Sequence, residues 1–353
     1  MTDLQALIDK ATTGSSLTRE EARAALRQIL TGDAPDEIIA RLLTTMADRG
    51  ETAEELAGFA EAMRALSIPV PFTLEERLSL VDTCGTGGAG DGTFNISTAS
   101  ALVAAAAGAK VAKHGNRAIT SKCGSADVLE AMRIPVALTP QHSVECLRAT
   151  GFAFLYAPAL HPSMKRVQPI RRSIGRRTIF NLAGPLTNPA GASAQVMGVY
   201  SPDKIDIVAH ALALLGVRHA LVVHGAGGLD ELTLTGPSEV AEVRNGSVKE
   251  YHLHPEDTGL KPCTLADLQG ADTAEDNAAI LYQIFAGETG PRRDIVLLNA
   301  AAALVVSRLA ANLREGILQS AAAIDSGAVA QTVTQLQEFG QQLLLRNPSP
   351  RIQ

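Results

Sequence analysis

The chain has 353 residues, 46% of them apolar and 3% aromatic, with no tryptophan, a formal charge of −6 and a pI of about 5.8. That length and apolar share support a large core divided between two lobes. The acidic balance and the scarcity of aromatic side chains argue against a nucleic-acid-binding face and against base stacking.

Residues 1 to about 70 read as helices only. Thr18 with Glu21 and Thr52 with Glu55 are capping-box signals, and Leu26, Ile29-Leu30, Ile38-Ile39, Leu42-Leu43 and Leu56 form apolar stripes at helical spacing. Pro69 and Pro71 mark a linker. From Leu78 the pattern alternates strand and helix. Leu78–Val81 is expected as a strand, Ser97–Ala107 as a helix stopped by Gly108, and Val111–Ala112 as a short strand running into a Lys113 loop. Ser125 is expected to cap the next helix. Thr139 caps another, with Pro140 in its first turn and Gly151 after its end. Phe152–Tyr156 and Leu221–His224 read as strands, Ile205–Leu215 as a helix, and Asn245-Gly246 as a hairpin turn. Helices near 275–285, 294–311 and 328–345 close the chain. The basic segment His161–Arg177 interrupts the alternation and is expected to be helical and to pack on the N-terminal helices. The fold class is therefore α/β: a small all-helical N-terminal lobe (1–70, joined in space by about 160–178) and a larger lobe (71–353) with a mixed, mostly parallel sheet flanked by helices.

Cys84, Cys123, Cys146 and Cys263 have neither C-x-x-C spacing nor a histidine at metal-finger distance, so they read as reduced thiols of a cytoplasmic protein. No signal peptide is expected from Met1-Thr2-Asp3-Leu4, and the run Ala101–Ala107 is far too short to span a membrane.

The most informative stretch is Asp82 to Glu130. Five glycines fall between Gly85 and Gly92, and Asn95, Ser97 and Thr98 then open a helix. Glycine lets backbone N–H groups turn inward, and a helix N-terminus holds anions. A glycine run alone is as readily a tight surface turn. The order strand, glycine loop, helix, followed by Lys113-His114-Gly115-Asn116-Arg117, points to a phosphorylated small molecule instead. No Gly-Lys-Ser/Thr closes the loop as in a Walker A motif, and no acidic residue ends a second strand as in a dinucleotide fold. Lys113 has a surface lysine as its plain alternative, His114 a structural or pocket-lining role, and Ser125 a simple cap. Asp230-Glu231 follows Gly227-Gly228-Leu229 and is either a solvated acidic turn or a hard-oxygen magnesium site. Lys165, Arg166, Arg171 and Arg172 are either a solvated helix face or a carboxylate clamp.

With Gly124-Ser125-Ala126-Asp127, Phe180-Asn181-Leu182-Ala183-Gly184-Pro185-Leu186-Thr187-Asn188-Pro189 and Leu229-Asp230-Glu231-Leu232-Thr233, these motifs make the chain resemble the anthranilate phosphoribosyltransferases over nearly its full length. That family belongs to a class related to the pyrimidine nucleoside phosphorylases. The resemblance implies transfer of the phosphoribosyl group of 5-phosphoribosyl 1-diphosphate to anthranilate, in a magnesium-dependent homodimer paired through the helical lobe. It implies phosphoribosyl diphosphate contacts at Gly85, Gly88, Ala89, Thr93, Asn95, Ile96, Ser97, Thr98, Lys113, Ser121 and Ser125. It implies anthranilate contacts at Gly85, His114, Asn116, Arg171 and Pro185, and magnesium ligands at Ser97, Asp230 and Glu231. The chain departs from the family at Ala89, where aspartate is usual and Asp91 follows two residues later, and at Thr120-Ser121-Lys122-Cys123, where Ser-Ser-Lys-Ser is usual. No dedicated general base is assigned. The rival readings are a nucleoside phosphorylase and a catalytically silent homologue with a binding role. The acidic pI and the intact Lys113 and Asp230-Glu231 disfavour the silent one.

Overall fold

The computed structural model describes residues 4–32, 34–87, 92–118 and 122–346. Gly88, Ala89 and Ser121, with the neighbouring Asp91 and Thr120, lie outside the described residues.

The N-terminal lobe consists of helices Leu4–Thr12, Arg19–Thr31, Asp36–Arg49 and Ala53–Ala65. Both expected capping boxes are present, at Thr18/Glu21 and Thr52/Glu55. Glu55 does more than cap. It is fully buried, pairs with Arg49, and accepts hydrogen bonds from the backbone N–H groups of Thr52 (3.0 Å) and Leu17 (2.9 Å). Helices Arg19–Thr31 and Ala53–Ala65 touch at Gly58, where a methyl would come within 2.3 Å of the Arg19 carbonyl oxygen. Glycine is what permits that approach.

Among the described residues, the seven strands β1 (Leu80–Asp82), β2 (Lys110–Gly115), β3 (Phe152–Tyr156), β4 (Ala194–Gly198), β5 (His219–Gly225), β6 (Ser238–Arg244) and β7 (Ser247–Leu253) form one sheet in the order β3-β2-β1-β4-β5-β6-β7. The first five are parallel and the last two antiparallel. Asn245 and Gly246 make the expected β6–β7 turn with φ of 49° and 84°, both in the left-handed region. Side chains alternate between two cores. Val196, Leu221, Val223 and Val240 face the core that holds helices Ile96–Ala106 and Pro291–Val306. Met197, Ala220, Val222, Ala241 and Val243 face the core shared with helix Ile205–Leu214 and the N-terminal helices. The helical lobe is thus continuous with one face of the sheet.

Several elements differ from the sequence-based expectations. Leu78 and Ser79 end a helix, Leu74–Ser79, that is fixed by a Thr73/Glu76 capping box, so β1 starts at Leu80. Lys113 and His114 lie inside β2, held there by pairing with Phe154 and Leu155 of β3. Gly124 occupies the N-cap position expected for Ser125, and the Asp127 carboxylate accepts the Gly124 N–H at 2.9 Å. The expected helix near 294–311 stops at Val306. A separate helix, Leu313–Asp325, follows, capped by Asn312 accepting from the Glu315 N–H. The segment 161–177 is broken into a 3-10 turn, Pro162–Arg166, and a helix, Gln168–Ile174. Its Val167 and Ile170 are buried in the same core as the N-terminal helices. No helix among the described residues is long and apolar enough to cross a membrane.

Glu55→Ala is expected to lower stability by about 3–5 kcal/mol, since it strands Arg49 and a buried N–H. Arg148→Ala, which breaks an exposed pair with Glu76, is expected to cost at most about 1 kcal/mol. Midpoint shifts in guanidinium unfolding compare the two.

Candidate active site

The chain runs from β1 to β2 and β3 on one side and to β4 and β5 on the other. The carboxyl ends of β1 and β4 therefore flank a topological switch point, where ligands bind in open α/β sheets. The glycine loop leaves β1 there, and the Asp230-Glu231 turn follows β5.

Asp82 ends β1 and is 1% exposed. Its Oδ1 accepts the His114 backbone N–H at 3.1 Å, and its Oδ2 accepts the Asn188 side-chain amide at 2.8 Å. The same amide reaches the Ala112 carbonyl at 2.8 Å, so Asn188 joins β1 to β2. Burial pushes the Asp82 carboxyl up to about 6, against the opposing pull of Asn188 and Lys113.

Lys113 is 2% exposed, and its ammonium donates to the Thr83 carbonyl (3.0 Å), Thr83 Oγ1 (3.1 Å) and Ser97 Oγ (3.3 Å). An ammonium has three N–H groups, so Lys113 is a fixed charge beneath the glycine loop rather than a free arm. Asp230 and Glu231 line a pocket together with Thr83, Gly85, Ser97, Gly198 and Asn299, and the Lys113 ammonium reaches its edge through Thr83 and Ser97. Desolvation raises both carboxyls, and repulsion from Asp230 raises Glu231 further. Asp230 Oδ2 accepts the Gly87 N–H at 3.0 Å. The turn is pinned by Asn299, which accepts from the Leu232 N–H (3.0 Å) and donates to the Leu232 carbonyl (2.8 Å). Gly198 makes room for it: a methyl there would lie 1.5 Å from the Asp230 carbonyl oxygen.

Next to the loop, Asn95 stands at the N-cap of Ile96–Ala106 without a side-chain hydrogen bond to its first turn. Its amide donates instead to the Cys123 carbonyl at 3.1 Å. Thr98 donates to Ser125 Oγ at 3.0 Å. Ile96 is a core residue, and Thr93 pairs in a bridge with Gln269.

His114 points to the side of the helical lobe, with its ring 5.1 Å from that of His161. Burial lowers His114 to about 3 and His161 to about 4, so both are neutral at ordinary pH. Arg64, from the last helix of the lobe, donates to the Leu186 carbonyl at 2.7 Å and is pushed down to about 10 by burial. Pro185 is buried, and its carbonyl accepts from Gln195 at 2.9 Å. Asn116 is exposed just past β2. Arg171 lies over the Phe180 ring, 5.4 Å from its centre, and has no carboxylate partner among the described residues. Three of its basic neighbours are engaged elsewhere. Arg166 pairs with Asp36 and Arg176 with Asp48, both at 2.6 Å, and Arg177 lies over Tyr200.

The structure thus gathers Gly85, Ser97, Asp230 and Glu231 around one pocket, sets the Lys113 ammonium against Ser97 beside it, and joins Thr98 to Ser125. Arg64, Thr83, Asn188, His161 and Asn299 were not singled out from the sequence. Asn188 stood in a quoted motif, whereas Arg64 sits on an ordinary helix whose local sequence carries no signal.

Residues 77–330 match the model of the glycosyl transferase family a/b domain, and residues 5–67 match that of the family's helical bundle domain. The chain is 52% identical over 332 residues to an anthranilate phosphoribosyltransferase of Pelotomaculum thermopropionicum, covering 94% of this chain and 95% of that protein. The crystal structure of the Thermus thermophilus anthranilate phosphoribosyltransferase is similar at a TM-score of 0.88 and 41% identity, over 95% of this chain and 99% of that one. The Saccharomyces cerevisiae enzyme in complex with PRPP and Mg is similar at 0.85 and 28%, over 96% and 98% of the two chains. The same yeast enzyme in complex with 4-fluoroanthranilate is similar at 0.83 and 26%, again over 96% and 98%.

The raised carboxyl of Asp82 opposes folding increasingly as pH rises from the unfolded value towards about 6, because the unfolded chain gives up this proton first. Asn188→Ala removes a donor to the ionised form and raises that carboxyl further. The variant is expected to lose about 1–3 kcal/mol at about pH 7.5 and less at about pH 4.5, where Asp82 keeps its proton. Denaturant unfolding of both proteins at the two pH values measures the difference. An equal loss at both would assign Asn188 a role independent of the Asp82 charge.

Proposed function

The chain belongs to the anthranilate phosphoribosyltransferase family, and from that membership we propose how its residues divide the reaction. The protein transfers the phosphoribosyl group of 5-phosphoribosyl 1-diphosphate to the amine of anthranilate. The products are N-(5-phosphoribosyl)anthranilate and diphosphate, in the second step of tryptophan biosynthesis from chorismate. The observation that carries the assignment of roles is that Asp230, Glu231 and Ser97 line one pocket at the switch point, with the buried Lys113 ammonium bonded to Ser97 beside it.

The phosphoribosyl diphosphate binds along the glycine loop (Gly85, Gly88, Ala89), the following Thr93, the helix start (Asn95, Ile96, Ser97, Thr98) and Ser121 and Ser125. The absence of a side-chain cap hydrogen bond from Asn95 favours an anion at this helix end. Lys113 supplies a fixed positive charge. Asp230, Glu231 and Ser97 fit magnesium by the chemistry of the donor set: two carboxylates and a hydroxyl lining one pocket, where a divalent ion would offset the carboxylates' desolvation and mutual repulsion. These residues would hold the ion, which would supply positive charge against the departing diphosphate.

Attack of the amine on the anomeric carbon gives that carbon oxocarbenium character. The protein's part is to position the two substrates and to match the developing charge. Neutral His114 and buried Pro185 line the acceptor side. Its low basicity makes His114 a wall rather than a general base. Arg171 reads the anthranilate carboxylate, and Asn116 lies by the amine. The acceptor then binds between the α/β lobe and the helical lobe with its joined segment 160–178, a common setting for small-molecule sites. Pairing of two copies through the helical lobe and a cytoplasmic location belong to the same reading, and sedimentation tests the pairing.

Mixing the protein with anthranilate, 5-phosphoribosyl 1-diphosphate and magnesium should quench anthranilate fluorescence. No loss of fluorescence would count against the assignment.

Asp230→Asn with Glu231→Gln is expected to lower turnover at least about a hundredfold. The melting temperature should hold or rise, because two carboxyls that resist ionisation in place are replaced by neutral amides. Full activity at saturating magnesium would sink the metal assignment.

Arg171→Ala is expected to raise the anthranilate KM about tenfold to a hundredfold, since a charge-assisted hydrogen bond is worth about 1.5–3 kcal/mol. The KM for phosphoribosyl diphosphate should move less, and the preference for anthranilate over aniline should narrow. An unchanged preference would pass the carboxylate-reading role to Arg172.

A further inference from the structure

We propose that Asp82, Cys84 and His114 form a second cation site, for soft divalent ions of the zinc class, and that an ion held there blocks the acceptor side of the cleft. One ligand atom from each residue lies within 4.8 Å of the other two. Zinc takes such ligands at about 2.0–2.3 Å, which separates them by roughly 3.3–3.8 Å, so a movement of roughly 1 Å completes the set. The backbone already holds the set together. Asp82 and Cys84 are two residues apart at the end of β1, and the Asp82 carboxylate is bonded to the His114 N–H on β2.

The imidazole of His114 supplies an independent reason. It is 4% exposed, and neither ring nitrogen has a hydrogen-bond partner. A buried imidazole without partners costs free energy, and metal ligation satisfies one nitrogen outright. The Cys84 thiol has only a 3.7 Å contact with the Gly85 carbonyl. Thiolate, imidazole and carboxylate together suit zinc and its neighbours and do not suit magnesium, which the all-oxygen set of Asp230, Glu231 and Ser97 serves. Binding forms the metal–sulfur bond as the thiol proton leaves to solvent. Lys113 and Arg64 are the nearby cations that oppose a divalent ion. The Asp82 carboxylate and the new thiolate offset them, with Asp230 adding to the negative side.

The blocking role rests on the reading that His114 lines the anthranilate pocket; the ion site itself does not. Cobalt(II) titrated into the full-length protein reports thiolate ligation through a near-ultraviolet charge-transfer band. The expected result is one equivalent bound with that band. The band should vanish in Cys84→Ser, and affinity should fall more than about tenfold in His114→Gln, which keeps a polar side chain. In the anthranilate fluorescence assay at fixed magnesium, zinc should inhibit competitively with anthranilate, and Cys84→Ser should be much less sensitive. No band overturns the site; an undiminished band in a folded Cys84→Ser overturns it and assigns binding to Cys123, Cys146 or Cys263. A Cys84-dependent band without competition against anthranilate upholds the site and overturns the placement of the acceptor beside His114.

Discussion

The Asp82 carboxylate is the interaction on which the site depends. A carboxylate buried at the end of a strand is costly unless its oxygens are occupied. Asp82 meets that condition with one hydrogen bond to the neighbouring strand and one to Asn188, which itself reaches back to β2. These bonds set β1 against β2 at the level where both strands deliver their functional residues. Thr83 follows Asp82 and anchors the Lys113 ammonium. Gly85 begins the loop that meets Asp230. His114, whose own N–H is one of the bonds, carries the imidazole towards the helical lobe. A one-residue slip of β1 would turn Asp82 to the other face and release all three.

What was legible in the sequence was local. The capping boxes at Thr18 and Thr52, the Asn245-Gly246 turn and the glycine loop are signals spanning a few residues, and the structure carries each described one in place. What was not legible depends on partners far along the chain. From the sequence the strand ends at Ala112 and Lys113 falls in a loop; in the structure Lys113 lies inside β2. Thr83 and Ser97 accept from its ammonium there, through contacts 30 and 16 residues away. Strand β4, Ala-Gln-Val-Met-Gly, has one β-branched residue and is a strand because β1 and β5 flank it. The helix Leu313–Asp325 did carry a cap signal, Asn312 with Glu315, which the apolar run before it obscured.

The basic segment after His161 shows the same limit in another form. From the sequence its basic residues read either as a solvated helix face or as a carboxylate clamp. In the fold they mostly staple the segment to the helical lobe, through Arg166 to Asp36 and Arg176 to Asp48. Such exposed pairs contribute little each. Their geometric effect is larger, because they help fix the helix from which Arg171 projects without an acidic partner.

The two halves of the cleft are electrostatically unlike, and the proposed reaction needs them so. A diphosphate arrives with several negative charges and leaves with one more bond's electrons, so its half is built from a fixed ammonium and paired carboxylates suited to a divalent ion. The acceptor attacks through an aromatic amine that must stay unprotonated. On the proposed placement two histidines lie near it, lowered to about 3 and about 4, and their neutral rings would neither protonate the amine nor add positive charge beside the electron-poor anomeric carbon. Burial is what holds them neutral. On the proposed placement the positive charge of the acceptor half is left to Arg171, which faces the carboxylate, and the imidazoles add none beside the reacting amine.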